Sequence, residues 1–501
     1  MGGIDVTSAS RKNLLSYYAN FAVVALAGLV VNPLLLSALG SQNFGVWKAI
    51  QRYLDLASVA DGRSTQALKW VVANRNHLSS DEKRRDIGAA LVVWLLWLPV
   101  LLVIAAAVTF FLPALINGLS SEQVPIATAA GGVLMASLVL GGLLSIPDSV
   151  LVGVNLGYRS MLLTTVIYVI SNVAMILAAL NGGGIVELAI IVSAGAILNG
   201  AGTWFIARQS VAWWGVKRPT RRDIGRVTGF SAWTLGGAAV EKALLSTELV
   251  LISFMIGASA VTQYTFTSYV LQFVLVIALI TASGFMPQLG AFIGAGDGER
   301  ASALAKQVRT WVLVVSAVML AGVLALNGTF VSIWVGEAQY QGDAVNLVLV
   351  VLGLQLALIR LDTQVLDAAL RMRARVLIGV LVVVVGFTVA VVVFQMTGSL
   401  IWSLLSVFVV RLVASVAYPR LVAGVIPKAS IPKRTWIFAV LLLCASWGFG
   451  VAIGRAEGWS TVALGLTWFL VASATTWFGM FEASSRHQLV AWASSRFGRK
   501  R

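Results

Sequence analysis

The chain is poor in the residues that build most catalytic and metal centres. Of its 501 residues one is cysteine and two are histidine, so an intrachain disulfide is excluded and the lone Cys444 has no partner for a metal site of the CxxC kind. His77 and His487 fall in connecting segments and read as solvated surface side chains. No GxxxxGK[ST] occurs, which argues against ATP hydrolysis on this chain. Charge is scarce as well: Asp, Glu, Lys and Arg make up 11% of the residues and apolar side chains 59%, whereas soluble domains are about a quarter charged. That balance excludes an ordinary soluble domain.

What the chain has is long apolar runs. Residues 87–112, 162–180 and 376–396 each supply about 20 apolar residues, enough to cross a bilayer as a helix, whereas barrel strands would alternate over about ten. Taken in order, the runs predict fourteen spanning helices, at 14–39, 44–72, 87–112, 125–153, 160–180, 185–207, 227–256, 262–292, 308–328, 345–370, 376–396, 400–418, 435–454 and 460–481. The first run ends in a Ser-Ala-Leu-Gly that loosely resembles a signal cleavage site. It is long, however, and carries Asn32 and Pro33, so it reads as a retained helix. The expected class is an all-α integral membrane protein of about 14 transmembrane helices.

Assigning the connections alternately to the two membrane faces tests that count. One face receives 28 of the 36 Lys and Arg residues, the other only Arg455, and seven lie inside the spans. The basic face is cytoplasmic, and both termini with it. The net charge of +16 is thereby explained as basic loops that orient helices and meet anionic headgroups. No aromatic-interleaved patch accompanies it, so nucleic acid is not an expected partner.

The seven intramembrane cations are Lys48, Arg52, Arg63, Lys69, Lys242, Arg360 and Arg411. A charge at bilayer depth costs roughly 2.5 to 3.5 kcal/mol on insertion scales, so each faces a bundle interior or a wet cavity. If residues 44–72 are one helix, Lys48, Arg52, Asp55, Val59, Gly62 and Gln66 share a stripe, with Arg63 and Lys69 at its edges. Gly62 is a possible break. A structural network, with Arg52 held by Asp55 at i+3, competes with a binding role. In the seventh helix Thr234, Glu241 and Glu248 repeat at seven on one face, with Lys242 one step round. These glutamates either neutralise cations across a cavity or exchange protons. The tenth helix carries Arg360, Gln364, Asp367 and Arg371, with Asp362 on its far face; Arg411 and Asp148 are weaker candidates. Trp47, Trp70 and Trp334 read as membrane-interface aromatics.

The longest cytoplasmic connection, 208–226, separates two halves and reads either as an amphipathic stretch at the interface or as a flexible linker. The halves show internal similarity: 146–159 aligns without gaps on 360–373, and 39–47 on 256–264, pairing Gly40 with Gly257. The expected organisation is a six-helix bundle at 1–210, a linker at 211–226, a second six-helix bundle at 227–425, and two further helices with a basic tail at 426–501.

At these residues the sequence resembles the multidrug/oligosaccharidyl-lipid/polysaccharide flippase superfamily, in particular its bacterial polysaccharide (O-antigen-type) branch. The resemblance rests on NPLLLSALGSQNFGVWKAI (32–50), with its proline, Leu-Gly and aromatic-Gly pattern, on DGRSTQAL (61–68), on LLSTELVLISFMIGASAVTQYTFTSYV (244–270) and on MPQLG (286–290). Glu248 stands where the family more often has Asp. The resemblance implies a V-shaped pair of bundles in the bacterial cytoplasmic membrane. It also implies alternating access that carries an undecaprenyl-pyrophosphate-linked oligosaccharide from the inner to the outer leaflet, without cofactor, metal or catalytic residues. Membrane lipids and other polysaccharide-assembly proteins are the expected partners. On this reading Lys48, Arg52, Arg63, Lys69, Lys242 and Arg360 hold the pyrophosphate, Asp55 steadies Arg52, and Glu241, Glu248 and Asp367 serve coupling. The alternatives are a lipid II flippase or a multidrug extruder of the same superfamily, and, from another class, a membrane polymerase or ligase. The extruder is disfavoured because the first helix lacks an acid. The polymerase or ligase is disfavoured by short outer loops, the longest being 327–344.

Overall fold

The computed structural model describes residues 6–480 apart from 62–63, 75–78, 230, 284, 370, 428 and 457–458. All regular structure among them is helical. In chain order it comprises α1 (Val6–Ala57), a 3-10 turn (Ser58–Asp61), α2 (Ser64–Asn74), α3 (Ser80–Leu115), α4 (Gln123–Leu144), α5 (Ile146–Gly153), α6 (Gly157–Leu180), α7 (Ile185–Ser210), α8 (Arg221–Gly229) and α9 (Ser231–Met255). There follow α10 (Ala258–Thr267), α11 (Tyr269–Ser283), α12 (Met286–Gly294), α13 (Gly298–Val335), a 3-10 turn (Glu337–Gln339), α14 (Asp343–Ala368), α15 (Met372–Thr397), α16 (Leu400–Ala423), α17 (Lys433–Gly454), α18 (Trp459–Ala474) and a π-helical turn (Thr475–Met480).

Eleven stretches are long and apolar enough to cross a membrane, and α10 with α11, bent by 53°, makes a twelfth. The first of the eleven, Leu15–Asp61, is 47 residues long, about 70 Å at 1.5 Å per residue and more than twice a hydrocarbon core of about 30 Å. It breaks at Gly40, whose φ of 74° and ψ of 164° lie outside the helix, into two arms; counting each arm as a crossing brings the total to thirteen. Helix α9 is the fourteenth. It is long enough to cross but carries three charges, Glu241, Lys242 and Glu248, within its 25 residues.

The break at Gly40 and the close packing after it account for the residue pattern at 39–47. A positive φ is open to glycine at little cost. Five residues on, a Cβ on Gly45 would stand 1.8 Å from Ala258 O and 2.8 Å from Thr262 Oγ1, so only glycine allows the start of α10 to lie against α1. Thr262 Oγ1 donates to Ser41 O at 2.6 Å and Ser259 Oγ to Gln42 Oε1 at 2.7 Å, while Phe44 beside them is fully buried. Gly257, matched to Gly40 in the internal alignment, also has a positive φ, 126°.

Three expectations are corrected. The segment 44–72 is not one helix: α1 ends at Ala57, the chain tightens into the 3-10 turn Ser58–Asp61, and α2 begins at Ser64. The stripe therefore holds for Lys48, Arg52 and Asp55 but does not extend to Gln66. Trp47 is no interface aromatic, being 1% exposed. Helix α13 begins at Gly298, behind an Asp297 cap, ten residues before the expected 308. As a result Arg309 lies three turns into a helix rather than at its start.

Contacts divide the chain into two compact units, Met1–Thr262 and Gln263–Arg501. In the first, the 208–226 connection is a strap fastened to α3. Lys217 N donates to Arg84 O at 3.1 Å, Arg84 Nε donates to Trp213 O at 3.0 Å, Lys217 Nζ pairs with Asp81 at 2.5 Å, and Arg226 pairs with the buried Asp86 at 3.4 Å. Trp213 and Trp214 pack on a core of Leu68, Val72, Ile87, Val150 and Val211. The apolar residues that remain exposed, such as Leu96, Val103, Phe110, Leu162 and Leu198, are those a lipid environment would cover.

Candidate functional site

Within the first unit the structure gathers two of the named cations, Arg52 and Lys242, around one carboxylate, with Lys48 one helical turn from Arg52. Lys48, Arg52 and Asp55 lie at i, i+4 and i+7 on the C-terminal arm of α1, one face of a helix. Arg52 Nη1 stands 4.0 Å from Asp55 Oδ2, and Lys242 Nζ of α9 stands 3.5 Å from Asp55 Oδ1. Asp55 thus links the two helices. Its side chain is 53% exposed and the Arg52 side chain 21%, so both pairs are loose and wetted, worth at most about 1 kcal/mol each. Lys48 Nζ lies over the Phe44 ring, 5.2 Å from its centroid. Below this layer Tyr53 Oη donates to Leu115 O at 2.7 Å, fixing the arm of α1 to the end of α3.

The charge balance differs between the two helices. The α1 arm carries two cations to one carboxylate; α9 carries two glutamates to one lysine. Glu248 is buried and Glu241 exposed, and each is engaged in polar or electrostatic contacts. Lys242 is paired with Asp55, whereas Lys48 makes no ion pair among the described residues and Arg52 pairs only loosely with Asp55. An arginine fork and an ammonium one helical turn apart suit two neighbouring phosphates.

The remaining candidates fall elsewhere. Lys69 is half-buried on α2, beyond the 3-10 turn Ser58–Asp61, and makes no ion pair among the described residues. Arg63 lies outside the described residues, as do His77 and His487. Arg360 is half-buried on α14 in the second unit and has contacts of its own. Asp367 is committed: Arg375 donates to both of its oxygens, at 2.7 and 2.8 Å, from the start of α15. Arg375 is itself buried, with its carbonyl accepting from Tyr418 Oη at 2.7 Å. This bidentate clamp closes the turn between α14 and α15 and argues for a structural Asp367.

Sequence reasoning missed a buried ion pair in the second unit. Arg309 Nη2 of α13 meets Asp362 of α14 at 2.8 Å, with side chains 11% and 4% exposed. Asp362 does not face away from the protein; it faces α13. The signal was available in the period of Ala301, Ala305, Val308 and Val312, whose spacing carries the helix back to residue 298 and turns Arg309 inward.

No protein-family model matches the sequence, and no curated protein matches it. Solved structures do match. The lipid II flippase MurJ in an inward closed conformation aligns with 92% of this chain and 98% of its own at a TM-score of 0.64 and 15% identity. An inward-facing multidrug resistance MATE family transporter of the MOP superfamily aligns with 81% of this chain and 95% of its own at 0.58 and 14%. The Vibrio cholerae MATE transporter VcmN aligns with 84% and 98% at 0.56 and 17%. The chain therefore has the fold of the MOP superfamily flippases and transporters, the fold that the patterns at 32–50 and 244–270 imply.

Proposed function

We propose that this protein flips an undecaprenyl-pyrophosphate-linked oligosaccharide from the inner to the outer leaflet of the bacterial cytoplasmic membrane by alternating access, acting as a transporter and not as an enzyme. The observation that carries the proposal is the half-exposed Asp55 held between Arg52 and Lys242 on two spanning helices, with Lys48 one turn before Arg52. Cations at that depth are costly unless they serve a ligand, and a loose, hydrated pair can exchange its carboxylate for a phosphate. Alternating access belongs to the same proposal. So do the bundles at 1–210 and 227–425, joined at 211–226 and followed by 426–501, which rest on the internal matches. Both termini are cytoplasmic in this reading, from the distribution of Lys and Arg.

Lipid II is the second reading. The MurJ likeness takes in 92% of the chain, against 81% and 84% for the two MATE structures, and both substrates would present a prenyl pyrophosphate to the same cations. Expression in two strains separates the readings, one lacking its O-antigen-type flippase and one depleted of its lipid II flippase. Rescue of the first alone supports the oligosaccharide reading, rescue of the second alone supports lipid II, and rescue of neither at normal membrane abundance removes both. Coupling is assigned to Glu241 and Glu248, which sit beside the cations on α9; Asp367 is a weaker member because Arg375 holds it. If they carry protons, flipping in vesicles stops when the proton gradient is collapsed.

A further inference from the structure

The second unit holds a polar pocket that the flippase reading does not use. Its volume is about 510 Å³, and it lies where the ends of α13 and α17 meet the starts of α14 and α18. Two glycines one turn apart on α17 shape it. A Cβ on Gly450 would stand 2.2 Å from Leu324 O, so there the two helices touch backbone to backbone. A Cβ on Gly454 would meet nothing within 4 Å. Packing does not require that second glycine, and its missing side chain leaves the space open. Another wall is held stiffly. Tyr340 Oη donates to Asp343 at 2.8 Å, its ring lies against Gly328, and Gln341 N donates to Thr267 Oγ1 at 3.1 Å. Behind this turn Asn327 and Asn346, each 2% exposed, are bonded to each other at 2.9 Å.

Several polar side chains of the pocket are available to a ligand. Glu337 is exposed and makes no ion pair among the described residues, and the half-exposed Thr329 and Ser332 make no side-chain hydrogen bond among them. By contrast, Thr310 of the same helix turns its hydroxyl back onto Lys306 O at 2.8 Å. Between the polar groups stand Leu324, Ala325, Ile333 and Ile453. Acceptors and hydroxyls set among apolar side chains match a pyranose, whose hydroxyls lie round its edge and whose C–H bonds cover its faces. Charge narrows the class. Among the described residues Glu337 and Asp343 share the lining with no lysine or arginine, and the negative ends of α13 and α17 lie beside them, so an acidic sugar is repelled. Both carboxylates are exposed, so an ammonium by itself gains little from them. We infer that this pocket binds a sugar unit that carries no acidic group. In the proposed topology it opens on the outer face, where the oligosaccharide is delivered. That placement rests on the flippase reading; the binding itself does not.

Free sugars test the pocket without a lipid or a pyrophosphate. The full chain in phosphatidylcholine nanodiscs is titrated with galactose, rhamnose, N-acetylglucosamine, glucuronate and ethanolamine, and binding is read by saturation-transfer NMR against empty nanodiscs. At least one of the uncharged sugars should bind, and glucuronate and ethanolamine should not. Gly454→Phe, which fills the open space, should abolish the signal, and Gly454→Ala should keep it. Glu337→Gln, a change on an exposed turn, should weaken binding about three- to tenfold, the loss of one charge-assisted hydrogen bond. No signal from any of the uncharged sugars, or an equal signal from glucuronate or ethanolamine, would overturn the inference even in a protein that rescues a flippase-deficient strain. Binding left unchanged by both Gly454→Phe and Glu337→Gln would do so too.

Discussion

Replacing Asp55 with Asn separates a binding site from a structural network, because the two accounts predict opposite signs. In the folded chain Asp55 lies 4.0 Å from Arg52 and 3.5 Å from Lys242 with about half its surface exposed. If the pairs exist to hold α1 against α9, their loss costs at most about 1 kcal/mol each and no ligand gains. If the cations serve a pyrophosphate, removing the carboxylate removes repulsion. A phosphate on the far side of Arg52 sits about 7 Å from Asp55, where water-screened repulsion is about 0.6 kcal/mol per unit charge. Two charges make about 1.2 kcal/mol, or five- to tenfold in affinity. The assay is binding of farnesyl pyrophosphate to the protein in nanodiscs at fixed salt, with farnesol as the control for the tail. Asp55→Asn should tighten pyrophosphate binding by that factor and leave farnesol unchanged. Arg52→Gln should weaken it, and Arg52→Lys, which keeps the charge and loses the planar fork, should fall between. Tighter head binding should also slow release, so Asp55→Asn should transport less despite binding more. Unchanged or weakened pyrophosphate binding in Asp55→Asn refutes the assignment, as does full transport restored by combining Asp55→Asn with Arg52→Gln.

Three other outcomes are expected. In a Cys444→Ser background, cysteines placed singly at Ser41, Gly183 and Gln339 should react with an impermeant thiol reagent from outside the cell while those at Ser80 and Gly215 stay unlabelled; reversal at any two positions would overturn the topology. Gly45→Ala should lower thermal stability in detergent by about 1 to 3 kcal/mol or more, because the new Cβ meets backbone atoms of Ala258 at 1.8 and 2.5 Å; a protein as stable as the parent would show that α1 and α10 are not in contact. Asp367→Asn and Arg375→Gln should each destabilise the protein, with the double variant less affected than the sum, and Asp367→Asn should leave the proton dependence of flipping intact; loss of that dependence would return Asp367 to the coupling set.

Much of the fold was legible because bilayer thickness is an external ruler. Apolar runs of about 20 residues must cross, and eleven or twelve such spans are present among the described residues, fourteen if α1 is divided at Gly40 and α9 is counted. Helix ends were less legible, since outside the hydrocarbon region polarity no longer distinguishes helix from loop. That is why Arg309 falls at the very edge of an expected span and Arg375 just outside one, although they lie within α13 and α15. Their partners, Asp362 and Asp367, then had no visible reason to be where they are. The pairing of Asp55 with Lys242 was out of reach for a different reason, since it joins residues 187 positions apart on separate helices and leaves no periodic trace.

Helix α9 shows where composition and function pull against each other. Glu241, Lys242 and Glu248 place three charges within its 25 residues, yet that length fits a crossing and it packs with the cation-bearing arm of α1. A spanning helix that keeps three charges must have somewhere wet or paired to put them. Lys242 has Asp55, and Glu248 is buried within the first unit. Each charge that weakens the apolar signal therefore has to be balanced by a specific neighbour or by a ligand. A membrane helix that keeps such charges while holding the length of a span is, for that reason, the first place in this chain to look for transport chemistry.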